Sequence, residues 1–161
     1  MKNMAGQVTL REITAETVRA VIELSVSEYQ NRFVAPNAMS LAQALFSPQA
    51  WYRAIYLDEE LVGFVMLADD SLLAPMPENP KVGVWRLMVD AKHQRKGIGR
   101  AAMGLVIEHV RRKGIFKALE ISYVPEEGGP QKLYLSLGFR PTGEIDEGEV
   151  VMALPLGENT G

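Results

Sequence analysis

The sequence predicts an α/β fold: a mixed central sheet of about seven strands with flanking helices, in the order β-α-α-β-β-β-α-β-α-β-β. Three observations carry that prediction. The run "KVGVWRLMVD" (Lys81–Asp90) is apolar at successive positions, as expected for a central strand buried on both faces. A helix and a second strand, "FKALEISYV", follow it, so Val82–Val124 forms a strand–helix–strand unit with parallel strands. The remaining strands come in pairs joined by tight turns, which makes the sheet mixed.

The elements follow in chain order. "VTLREIT" (Val8–Thr14) alternates and reads as a first strand. A helix then starts at Thr14 as N-cap and runs to about Gln30, with Val18, Val21, Ile22 and Ser25 on one face. "RFVAPNA" breaks it, and Ser40 caps a short second helix ending before Pro48. "WYRAIYL" and "LVGFVMLA" flank Asp58-Glu59-Glu60 as a hairpin. The proline-rich "DDSLLAPMPENP" is a surface loop, after which comes the central strand. A long helix spans about Gly97 to Lys113, stopped by Gly114. Pro130 opens the short helix "PQKLYLSL", Gly138 stops it, and the tail closes as a hairpin around Glu147-Gly148.

Composition narrows the chemistry. The 161 residues, 47% hydrophobic and 23% charged, suit one soluble domain spanning 1–161. No apolar run approaches the roughly 20 residues of a membrane span, and the N-terminus lacks the apolar core of a signal peptide, so a cytoplasmic location is expected. The absence of cysteine removes disulfides, thiolate metal sites and a Cys nucleophile. With only His93 and His109, a histidine metal centre is not expected. A net charge of −3 argues against non-specific nucleic-acid binding.

The stretch "HQRKGIGRAAM" (His93–Met103) carries the chemistry. Two glycines at the start of a helix let backbone come close to a ligand, and a helix N-terminus attracts anions through its unpaired N–H groups. Arg95, Lys96 and Arg100 add positive charge, so a phosphate is the natural occupant. A solvated basic loop with a glycine cap is the plainer reading of the same residues. A P-loop is excluded, because no Lys-Ser/Thr follows the glycines. "GIGRAA" matches G-x-G-x-x-A, with Glu120 downstream as a ribose contact, but seven residues separate Val89 from Gly97. A dinucleotide site places its glycines directly after the strand, so that reading fails.

The context resembles the GNAT superfamily of N-acetyltransferases: a strand carrying "LMV", a short link, "QRKGIG", a long helix, and then "LYLSLGF" (Leu133–Phe139). The resemblance covers nearly the whole chain. It implies acetyl-CoA as cosubstrate, with its pyrophosphate held by the loop Gln94, Arg95, Lys96, Gly97, Ile98, Gly99 and Arg100. It implies too that Leu87, Met88 and Val89 pair with the pantetheine arm, as a peptide adds to a sheet edge. This strand and the next would splay apart to seat the thioester. Lys132 is a further candidate for a cofactor phosphate.

By the same resemblance Tyr134 is the candidate acid for the leaving thiolate, its phenol being protonated at neutral pH. Packing alone is the other reading of this tyrosine. The backbone N–H of Val89 or Met88 is the candidate oxyanion donor. Without cysteine, direct attack in a ternary complex is the economical route. The base stays unassigned, because Trp85 stands where many relatives carry an acid and Glu127 where they often carry Asn. Glu28, Asp69 and Asp70 are alternatives, each also readable as a surface charge; His93 and His109 read as structural or exposed.

The stretch Ser25–Ala44 and the tail "GFRPTGEIDEGEVVMALPL" are similar to the spermine/spermidine and diamine acetyltransferase branch. That implies a small-molecule amine acceptor, a polyamine or diamine, with Glu28 and Trp85 as acceptor-side residues. The net charge and the lack of a long apolar run point away from nucleic-acid and membrane partners, and a homodimer is left open. An aminoglycoside, an amino acid or a protein N-terminus stands as an alternative acceptor, and a non-catalytic acyl-CoA sensor as the alternative outside enzymes.

Overall fold

The computed structural model describes residues 6–26 and 36–157. Its seven strands are β1 (Val8–Arg11), β2 (Ala50–Leu57), β3 (Glu60–Asp69), β4 (Val82–Val89), β5 (Ala118–Tyr123), β6 (Arg140–Asp146) and β7 (Glu149–Pro155). The helices are α1 (Val18–Glu23), α2 (Asn37–Ala44), α3 (Ile98–Lys113) and α4 (Gln131–Leu137). The order of elements is the one expected from the sequence.

The strands form one sheet in the order β1-β2-β3-β4-β5-β7-β6. Every pairing is antiparallel except β4–β5, the parallel pair that α3 connects. β4 is therefore central, as its apolar character requires. Two apolar clusters cover the sheet. On one face α3 and α4 bury Ile98, Met103, Val106, Val110 and Phe139 against Val65, Leu67, Leu119 and Met152. On the other, Val21 of α1 packs with Ala54, Phe64, Met66 and Met88.

Two helix boundaries differ from the sequence reading. α1 spans only Val18–Glu23, after a turn in which Val18 N–H donates to Thr14 O. The chain then leaves the helix because Ser25 binds the β4–α3 connection instead: its N–H donates to Asp90 Oδ1 and its carbonyl accepts from Ala91. Ser40 is not a cap but lies fully buried inside α2, which begins after Pro36. Asn37, nearly buried, anchors that start by donating to Val21 O at 2.8 Å.

Among the described residues no helix is long and apolar enough to cross a membrane, and no cluster of His, Asp and Glu could hold a metal ion.

Candidate functional site

The site begins where the parallel pair ends. β4 and β5 pair only at Val82↔Leu119, Gly83↔Glu120 and Val84↔Ile121. β4 continues along β3 to Val89, while β5 continues along β7 to Tyr123. The cause is local. Met66 pairs with Arg86 and Leu67 with Val84, so Trp85 is an extra residue in β4. A bulge of this kind bends its strand and increases its twist, which turns β4 away from β5. The sheet therefore splits at Trp85, and one lip of the split is the free edge of β4.

The alternation of an antiparallel ladder determines which groups line that lip. Asp90 N–H donates to Val62 O at 2.7 Å, so residues 90, 88 and 86 turn their backbone groups toward β3. Leu87 and Val89 turn theirs to the open side. Met88 thus does not share the edge expected of it, nor does its N–H face the split; its side chain is buried among Val21, Phe64 and Met66. Val89 O accepts from Gln94 Nε2 at 3.0 Å, which ties the loop to the lip. Leu87 N–H and C=O and Val89 N–H pair with no described strand and suit a partner in extended conformation.

The two glycines do different work. Gly97 caps α3 with φ 81°, a left-handed conformation that L side chains avoid. Gly99 has an ordinary φ, and a Cβ built there meets only Val89 Cγ2 at 3.8 Å. What Gly99 contributes is open space over the helix start. The first intrahelical bond is Ala101 N–H to Gly97 O, so the N–H groups of Ile98, Gly99 and Arg100 precede it. Ile98 itself is buried and pins the turn to the core.

Around this turn Arg95, Lys96, Arg100 and Lys132 are exposed. Arg95 has φ 65°, a left-handed turn just before the glycines. Lys96 Nζ lies 3.4 Å from His93 Nδ1, and His93 Nε2 lies 3.1 Å from Glu60. Arg100 donates to Ser136 Oγ at 2.6 Å, which fastens the start of α3 to α4.

α4 carries Tyr134, on the β5 side of the split. Its ring stands edge-on to Tyr123 with centroids 6.2 Å apart and lies 5.9 Å from Phe139. Burial pushes its phenol up to about 12, so it is protonated throughout the neutral range. Its hydroxyl makes no hydrogen bond among the described residues.

On the face opposite α3, the split is polar in a way the sequence reading passed over. Arg86 extends there toward α2. It donates to Trp85 O at 2.8 Å and to Gln43 Oε1 at 3.5 Å. Ser122 of β5 donates to Glu149 Oε1 at 3.4 Å on the same face. The pairing Tyr123↔Val150 puts the β6–β7 turn at the end of the sheet where β4 departs. Glu144, Asp146, Glu147 and Glu149 gather on that hairpin. The signal for Arg86 was available, since an arginine inside an apolar central strand needs a reason. Nothing in the pattern marked Ser122 or Glu149.

Of the other candidates, Glu28 lies outside the described residues. Trp85 is at the bulge, half-buried against the Phe64 and Met66 cluster. Asp69 is not a surface charge: it is fully buried, bound by Lys113 Nζ at 2.7 Å and Ser71 Oγ at 2.6 Å. Burial pushes its carboxyl up, but the hydrogen bonds from Lys113 and Ser71 outweigh that and hold it below the ordinary value. His109 stacks on Trp51 at 4.3 Å with Nε2 buried and unpartnered, and burial lowers it below its ordinary value. Both stand at the opposite end of the sheet, where Asp69 pairs with Val82.

Comparison with known proteins agrees with this fold. A model described as the acetyltransferase (GNAT) family matches residues 14–139. The chain is 28% identical over 153 residues to a spermine/spermidine N(1)-acetyltransferase of Bacillus subtilis, covering 92% of this chain and 99% of that one. Solved structures with this fold include the PaiA N-acetyltransferase of Thermoplasma acidophilum in complex with coenzyme A. That pair has a TM-score of 0.67 at 14% identity, over 92% of this chain and 99% of the other. A GNAT family acetyltransferase of Elizabethkingia anophelis with acetyl-CoA bound gives 0.63 at 19%, over 92% and 97%.

Proposed function

Because the chain belongs to the GNAT acetyltransferase family and is an acetyl-CoA-dependent N-acetyltransferase, we propose that it acetylates a polyamine or diamine by direct attack in a ternary complex. The observation that carries this reading is the split at Trp85, with one free backbone lip and a cationic helix start at its mouth.

The N–H groups of Ile98, Gly99 and Arg100 would receive the pyrophosphate, with Arg95, Lys96 and Lys132 neutralising it. Leu87 and Val89 would hydrogen-bond the pantetheine arm along the lip. The arm then runs toward the apex of the split, which brings the thioester beside Trp85 and Arg86. α3 and α4 fill one face of the sheet, so the acceptor enters from the other. Val89 N–H, at the loop end of the lip, is too far from the apex to reach the oxyanion; Leu87 N–H, on the open side and next to Arg86, is the donor beside the thioester.

Tyr134 stands on the far lip as a hydrogen-bond donor to the leaving sulfur. A phenol held at about 12 is a weaker acid than a thiol near 8.5. It therefore stabilises the departing thiolate by a hydrogen bond and parts with its proton only as another arrives from the attacking nitrogen. The chain holds no cysteine to accept the acetyl group, which supports a single transfer.

The acceptor class rests on the relative's substrates and on the carboxylates of the β6–β7 hairpin, which suit the distal cations of a polyamine. A small-molecule amine, rather than a membrane or nucleic acid, fits the net charge of −3, and we take the cytoplasm as the compartment. The test is thiol release from acetyl-CoA against polyamines, diamines, aminoglycosides, amino acids and N-terminal peptides. Polyamines or diamines should give the highest kcat/KM, with intersecting double-reciprocal plots. Parallel lines with an isolable acetyl-enzyme would contradict direct transfer, and a best substrate from another group would replace the acceptor.

A further inference from the structure

The acceptor's amine poses a problem that the expected acidic residue would have solved. An alkylammonium loses its proton near 10.4, and only the neutral amine attacks a thioester. The position where relatives carry a carboxylate holds Trp85, an apolar ring against the Phe64 and Met66 cluster. The next residue carries the opposite charge. Arg86 sits two positions beyond the last β4–β5 pair, on the face from which the acceptor enters.

Among the described residues its charge has no ion-pair partner. Its two hydrogen bonds go to neutral oxygens, Trp85 O and Gln43 Oε1. Its Nε is buried with no hydrogen-bond partner. No carboxylate of the described residues lies within ion-pair distance. Glu149 on β7 acts on it from further away, β3 presents Met66 opposite it, and α2 presents the uncharged Gln43. Burial disfavours the guanidinium, yet an arginine stays ionised at any working pH. The site thus keeps a fixed positive charge, in partly desolvated surroundings, at the apex where the thioester and the amine would meet.

We propose that Arg86 activates the acceptor by charge alone: its guanidinium, without an ion-pair partner among the described residues, sits beside the reacting nitrogen, favours the neutral amine over the ammonium and takes the place of a general base. This rests on the acceptor entering as described above. The effect is the one by which a neighbouring cation activates a lysine nucleophile. The acceptor releases a proton to solvent as it settles beside Arg86. The nitrogen lone pair then forms the N–C bond to the acetyl carbon, and the C–S bond breaks with its electron pair going to sulfur. The new amide nitrogen gives up its second proton, and the sulfur gains one through Tyr134. One proton goes to solvent for each ammonium acetylated. The distal ammonium groups meet the hairpin carboxylates instead, so one end of a polyamine is neutral and the other charged.

The pH dependence of kcat at saturating acceptor reads this directly, because it reports groups in the bound complex. In the wild-type enzyme the rising limb should lie well below that of the free amine. Arg86→Gln should move it up by about one to two units, as expected for a charge a few ångströms away in a partly buried site. At pH 7 kcat should fall about ten- to hundredfold, the plateau at high pH should be unchanged, and KM for the acceptor should stay or decrease. Arg86→Lys should restore the wild-type limb. Arg86→Met gives the same test if the Gln variant does not fold. A loss of kcat equal at every pH, with the limb unmoved, would overturn the proposal and leave Arg86 as a brace for the bulge. Wild-type enzyme without acetyl transfer to any amine would instead indict the proposed function itself.

Discussion

The two ends of β4 differ in how their edges and charges are partnered. At its start Val82–Val84 lie between β3 and β5 with both edges paired. There Asp69 is fully buried, and Lys113 and Ser71 satisfy its carboxylate. At its end Leu87 and Val89 have one edge unpaired by any described strand, Gly99 leaves room over a helix start, and Arg86 has a buried Nε without a hydrogen-bond partner and no ion pair among the described residues. The first end pairs its buried carboxylate internally, and the second leaves its buried arginine without an ion pair among the described residues. The difference teaches that a buried charge with its partner within 3 Å holds the fold together, since removing either partner strands the other, whereas a charge with no such partner makes its end of the strand a site candidate.

If that contrast is right, substitutions at the open end cost function at constant stability, and those at the closed end do the reverse. The largest effect is expected from Tyr134→Phe, which keeps the ring packing on Tyr123 and Phe139 and removes only the hydroxyl. kcat should fall about a hundredfold, the scale of a positioned proton donor, with acetyl-CoA affinity and thermal midpoint little changed. Steady-state kinetics beside calorimetric binding checks this, and wild-type turnover would return Tyr134 to the core.

At the closed end, Lys113→Met strands the Asp69 carboxylate inside the protein. It should lower unfolding stability by about 2 kcal/mol, less than for a fully buried pair because Lys113 is partly exposed. Chemical denaturation measures the loss. A matching drop in acetyl-CoA affinity would break the separation of the two ends.

Gly99→Val comes next, since the added side chain finds room within the protein but occupies the space over the helix N–H groups. Acetyl-CoA affinity should weaken by about tenfold or more, and the thermal midpoint should hold. Unchanged affinity in the folded variant would remove the pyrophosphate from α3.

The smallest effect is that of pH on stability at the closed end. His109 is held below its ordinary value of 6.5 by burial first and by the Lys113 charge second. The unfolded chain therefore binds the proton more readily, and stability should fall as pH drops below about 6.5. His109→Phe, which keeps the ring on Trp51, should remove that phase in a melting series from pH 8 to 5. Asp69 has the usual sign for a carboxylate held low. Its contribution is complete above about pH 4 and is lost as pH falls through its depressed value.

Local signals in the chain determined most of this molecule without help from tertiary contacts. Largely apolar character made β4 central, glycines at 97, 114 and 138 placed helix ends by their left-handed backbone, and the basic "QRKGIG" loop pointed to an anion as its occupant. Each is a property of a few consecutive residues, so it is legible in one dimension. Even the split could be expected from the resemblance, though not its apex at Trp85. Only the folded chain decided the rest. Register against β3 turned Met88 away from the free edge, because alternate residues of an antiparallel strand face opposite partners. The Asp90 side chain, by capturing Ser25 from 65 residues away, drew the chain out of α1 after Glu23. Asp69 is a closed ion pair because α3 brings Lys113 to it across 44 residues. Arg86 is an exposed-looking letter in an apolar word. That it has no ion-pair partner among the described residues is a fact about β7, α2 and β3 together, because these surfaces come from distant parts of the chain.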